Sequence, residues 1–178
     1  WSILIPHLVL GLGVFVLAAD LGRSGTASAL AACIAMYAET SVVWLEFQFW
    51  LGAFCWSPWI WMLLRRSLQN NSVMYASLAG LAAGMSVMSG QIQVSVYACI
   101  GGVVCAVVAS AKSDIRHWRL CSLACVIGIS FAAIQVLPTL ELVGQGHRDP
   151  GRYGRVNYLR LSECLTWVIP DFFGNPGN

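Results

Sequence analysis

From residue 147 to residue 160 the chain carries His147, Arg148, Asp149, Arg152, Arg155 and Arg160, so every lysine-or-arginine position in this stretch is an arginine. A guanidinium presents a planar fork that grips phosphate through two parallel N–H donors, whereas an ammonium is a point charge. An arginine-only cluster therefore suits a lipid-phosphate headgroup, or else anchoring to an anionic lipid surface. Acids are fewer. Glu39 and Glu46 stand at the ends of apolar runs, and Glu141 follows Pro138. An ionisable group at membrane depth is a functional candidate, although a carboxylate at a helix end can also be hydrated. His7 is a lone imidazole in an apolar run, suited to a helix–helix hydrogen bond or to base chemistry. Gln91 and Gln93 flank a turn, where their amides could hold a sugar hydroxyl or satisfy turn backbone. The seven cysteines include no CxxC and no cluster with histidine, which points to small apolar packing rather than metal or disulfide chemistry.

The elements that must position these groups are unusually apolar. Apolar residues make up 58% of the 178 and charged residues 10%, with a mean hydropathy of +0.70. A soluble domain carries about 25% charged residues, so this chain lacks the polar surface to cover a globule in water. The net charge of +2 gives no ground for a nucleic-acid partner. Apolar runs cover Trp1 to Ala19, Thr26 to Trp44 and Phe47 to Leu64. Ser67 to Ala111 is free of charge and broken at Ser89-Gly90-Gln91, and Leu120 to Leu140 follows the polar stretch Lys112 to Arg119. Each run approaches the ~20 residues that cross a bilayer as helix. Helix is the conformation expected, because lipid offers the backbone no partners and the runs lack the alternation of barrel strands. Gly80 and Gly84 have the small-xxx-small spacing that lets membrane helices approach closely.

The fold expected is thus an all-α polytopic transmembrane bundle over residues 1–140, crossing about six times. Residues 141–178 follow as an extracytoplasmic segment. Within it Tyr158, Leu161, Leu165 and Val168 recur at helical spacing, as in a short interfacial helix ended by Pro170. Arg23, Arg65, Arg66, Lys112, Arg116 and Arg119 all fall on one side of such a bundle, and the positive-inside rule assigns that side to the cytoplasm. The chain opens at Trp1 within an apolar run and stops at Asn178 within a turn-rich one, so it reads as a piece of a longer protein.

Pro138-Thr139-Leu140-Glu141-Leu142 with Arg148 beyond it, and Leu165-Thr166-Trp167-Val168-Ile169-Pro170-Asp171-Phe172-Phe173-Gly174-Asn175-Pro176, resemble two signature blocks of the bacterial YfhO membrane proteins. Gly90-Gln91-Ile92-Gln93 followed by Tyr97, and Trp56-Ser57-Pro58 through Arg65-Arg66, are similar to two further blocks in the same order. The sequence departs from the family at Gln91, where histidine is common, at Gly146, where serine is common, and at Arg160-Leu161, where two prolines are common. The resemblance implies a GT-C-like fold: a multi-pass glycosyltransferase of the bacterial cytoplasmic (inner) membrane. Such a protein moves a sugar from a polyprenyl-phosphate donor to a cell-envelope acceptor on the outer face. Its catalytic acid belongs to an early outer loop, which here would precede Trp1. Arg148, helped by Arg152 or Arg155, is then expected to neutralise the leaving lipid phosphate. Glu141 is expected to orient Arg148 or bind a divalent metal ion, with Gln91 and His7 as further substrate contacts. Two rivals are a transporter or flippase for a lipid-linked substrate, which predicts internal repeats and midplane charges, and a non-catalytic membrane scaffold.

Overall fold

The computed structural model describes residues 4–38, 41–42, 48–109 and 115–145. Among them every regular element is helical: α1 Leu4–Asp20, α2 Gly25–Tyr37, α3 Gln48–Phe54, α4 Ser57–Asn70, α5 Val73–Met88, α6 Ile92–Ala109 and α7 Ile115–Gln145. The all-α class expected from the apolar runs is what the described residues adopt. Packing divides the chain into Trp1–Glu141 and Leu142–Asn178. Of the second unit only residues 142–145 are described. The expected interfacial helix near 157–168, Glu39 and Glu46 lie outside the described residues.

Two of the expected spans are interrupted. The run from Thr26 to Trp44 begins as helix at Gly25, where the Ser24 hydroxyl accepts from the Ala27 N–H at 3.3 Å. It stops at Tyr37, because Ala38 turns extended (ψ 143°). The Ser41 hydroxyl then donates to the Ala35 carbonyl at 2.7 Å, filling the acceptor that the next helical amide would have taken. Thirteen residues rise only about 20 Å, against ~30 Å of hydrocarbon. The run from Phe47 to Leu64 divides at Cys55-Trp56 into α3 and α4. Pro58 explains the break: it has no N–H for the carbonyl four residues earlier, at Phe54, and its ring would strike that carbonyl. Phe54 is where α3 ends. Having restarted, α4 runs beyond Arg65 and Arg66 to Asn70, ending on Asn71 in the left-handed region (φ 49°).

The other turns fall where expected. Ser89 and Gly90 join α5 to α6, with Gly90 at φ +91°, a conformation that costs glycine little. With 31 residues, α7 extends beyond Leu120 and Leu140 at both ends and contains Pro138. Next to Pro138 the Thr139 hydroxyl donates to the Gln135 carbonyl at 2.7 Å, one turn back in the same helix. Among the described helices, α7 is the one both long and apolar enough to cross a membrane.

At the centre lies α4, whose Ile60, Met62, Leu63, Leu64 and Leu68 are buried and which packs on α1, α5 and α6. Elsewhere Leu10, Leu51 and Leu120 are buried beside many small residues, among them Ala76, Ala79, Ala98, Ala124, Ser86 and Ser95. A methyl group placed on Gly80 would sit 2.5 Å from the Ala124 carbonyl oxygen, so α5 and α7 approach nearly backbone to backbone. Many large apolar side chains of α7 point outward, with Val126, Ile129 and Leu137 each more than 60% exposed.

Candidate functional site

The break at Pro58 builds a cavity. α3 carries Trp50 and Phe54 one turn apart, their rings stacked with centroids 5.1 Å apart. The first turns of α4 supply Ser57 and Trp61, and the start of α6 supplies Gln91, Gln93 and Tyr97. Together they line a space of about 440 Å³. Trp61 is fixed in place: its Nε1–H donates to the Ala98 carbonyl at 2.7 Å, and its ring lies flat on Gly101, where an added methyl would come within 3.0 Å of it. The Gln93 amide donates to the Tyr97 hydroxyl at 2.9 Å, one helical turn on. Ser57 is 2% exposed, and its hydroxyl has no hydrogen-bond partner among the described residues. Among the described residues no charged side chain lines this space. Aromatic faces combined with a few amides and hydroxyls make a binding surface rather than a reacting one.

A second cavity, about 180 Å³, lies among α4, α5, α6 and α7. Its walls are apolar and include Ile60, Gly80, Cys99, Cys121 and Cys125. At the carboxyl ends of α1 and α4 a charged cluster closes the bundle. Asp20 pairs with Arg65 and accepts from Arg66 Nε at 2.6 Å, while the Arg66 guanidinium lies 5.9 Å from the Tyr75 ring centroid. The hydrogen bond to Asp20 pushes the Arg66 pKa further up, so the guanidinium stays charged.

No family model, curated protein or solved structure matches this chain. The likeness to the YfhO proteins therefore rests on the residue blocks themselves. Of the residues singled out from sequence, Gln91 and Gln93 line the aromatic cavity. His7 sits partly buried on α1, two residues before Val9, whose carbonyl accepts from Trp59 Nε1 at 3.0 Å; it is not among the cavity's walls. Glu141 is exposed on α7. Arg148, Arg152 and Arg155 lie outside the described residues. Among the described residues no three His, Cys, Asp or Glu side chains gather as metal ligands, so Glu141 has no companions for a divalent ion there. Sequence reasoning missed Trp50, Trp61 and Ser57 as lining, and it missed Asp20 as the partner of the arginine pair. The signal available for the first was the density of tryptophans in one short stretch, at 44, 50, 56, 59 and 61.

Proposed function

We propose that this chain is part of a multi-pass protein of the bacterial cytoplasmic membrane, acting at the outer face as a glycosyltransferase on a lipid-linked sugar. The observation that carries it is the uncharged aromatic and amide cavity at the opposite end of α4 from Arg65 and Arg66. With the arginine end cytoplasmic by the positive-inside rule, that cavity opens on the outer leaflet, where a lipid-linked substrate presents its polar head. The membrane part of the proposal is supported by the outward-facing Leu, Ile and Val of α1, α2, α6 and α7. Water would penalise such a surface and hydrocarbon would not.

In this scheme a carboxylate upstream of Trp1 deprotonates the acceptor hydroxyl. Arg148, with Arg152 or Arg155, meets the phosphate as it leaves, placing fixed positive charge where negative charge grows in the transition state. Glu141 orients Arg148, and Gln91 contacts the substrate head. The test is sugar transfer by the intact protein in proteoliposomes. Arg148→Ala should lower turnover about a hundredfold while leaving the protein folded, and unchanged turnover would remove the arginine from the mechanism. Movement of the lipid-linked sugar between leaflets with no transfer would favour a transporter instead.

A further inference from the structure

We infer that the cavity among α3, α4 and α6 is a subsite for an uncharged sugar ring, with the Trp61 indole as its stacking face and Gln91 and Gln93 as its hydroxyl-recognising groups. The inference rests on the lipid-linked-sugar proposal and narrows it, by assigning the ring and the phosphate to different parts of the protein. Four observations carry it.

The first is size: about 440 Å³ lies within the 300–1,000 Å³ range of small-molecule sites. The second is the state of the Trp61 indole. Its one polar atom is already committed to Ala98, and Gly101 lets the ring lie against α6, so the ring plane is set before any ligand arrives. A pre-set aromatic plane loses little freedom on binding, and it offers the apolar face that the C–H side of a pyranose packs against. The third is the polar complement. Gln91 and Gln93 line the space with planar amides, each carrying two donors and an acceptor. The fourth is that none of the described residues lining the space is charged. A phosphate or carboxylate entering here would lose its water and gain no cation from them. An isoprenoid chain would offer neither glutamine amide a hydrogen bond, and the all-apolar cavity beside α7 suits such a chain better.

The experiment uses the intact protein in phospholipid nanodiscs, prepared without sugar-headed detergents. Tryptophan fluorescence is titrated with n-octyl β-D-glucopyranoside below its micellar concentration, with n-octyl phosphate and n-octyl β-D-glucuronide as charged comparators. The expected result is saturable glucoside binding, about tenfold tighter than either comparator. Gln93→Leu should weaken it about tenfold. Gln93 is exposed, so this variant leaves the fold intact, whereas Trp61→Leu also removes a packing contact and is read beside it. Equal affinity for glucoside and phosphate, or titrations unmoved by both variants, would overturn the subsite. Selective, variant-sensitive glucoside binding by a protein that transfers no sugar would sink the transferase proposal and leave the subsite standing. Transfer without such selectivity would do the reverse.

Discussion

Asp20 and Trp61 are the two side chains that decide most at the scale of single residues. Asp20 ends α1 and answers both Arg65 and Arg66 from α4, with its side chain 10% exposed. Removing the carboxylate strands two guanidiniums, whereas removing one arginine leaves the acid still paired. Asp20→Ala should therefore destabilise the protein by about 2 kcal/mol. Arg66→Ala, at a position 34% exposed, should cost under ~1 kcal/mol. Equilibrium unfolding in bicelles checks the order, and the reverse order would mean that Arg66 matters through Tyr75 rather than through Asp20. From sequence Asp20 is one member of a polar turn and the arginines are topological charges. A sequence separation of 45 between Asp20 and Arg65 hides their pairing. Gln91 was legible because glutamine beside a glycine turn stands out in an apolar run. Trp61 was not, since a tryptophan near a helix end reads equally as an interfacial ring, and only the carbonyl of Ala98 reveals that its indole is held in place.

At the scale of elements, the sequence announced helices but not all of their ends. The α5–α6 turn was visible because Ser89-Gly90-Gln91 interrupts a run far too long for one span. The stop after Tyr37 was not, since it depends on one serine hydroxyl reaching a carbonyl six residues back. Proline alone did not mark the other break: Pro58 separates α3 from α4, whereas Pro138 stays within α7. The pairing of α5 with α7 is more decipherable, because Gly80, Gly84 and Gly128 supply the close approach. A Cβ built on Gly128 lies 3.5 Å from that of Ala83, inside the ~3.5–4.5 Å range of disulfides. In a background with the native cysteines replaced, Ala83→Cys with Gly128→Cys should therefore oxidise to an intramolecular disulfide detectable by mass spectrometry. Adding Gly80→Val should abolish that disulfide by forcing the two helices apart. Cross-linking that persists unchanged would mean the approach at Gly80 is looser than 2.5 Å implies.

For the molecule as a whole, the telling pattern is at the surface. Leucine, isoleucine and valine face out along α1, α2, α6 and α7, while inside alanine and serine share the core with Leu10, Leu51 and the leucines of α4, and such an exterior suits hydrocarbon as solvent. The orientation proposed from the arginines makes a direct prediction. In right-side-out vesicles of a cysteine-free background, Gln91→Cys should react with an impermeant maleimide and Asn70→Cys should not. The opposite outcome would invert the protein in the bilayer and detach the sugar cavity from the outer leaflet. The α5–α6 pair bears on how such a protein is made. Ser86 Oγ lies 2.9 Å from Ser95 Oγ and donates to the Ala53 carbonyl at 2.8 Å, while no ionised group interrupts the chain from Ser67 to Ala111. A nascent α5 entering lipid alone would carry that serine in without its nearest hydroxyl partner, and nothing in the connecting turn anchors it on either side. On the proposed orientation the two legs are expected to leave the translocon as one hairpin, with Gln91 carried across the bilayer at its tip.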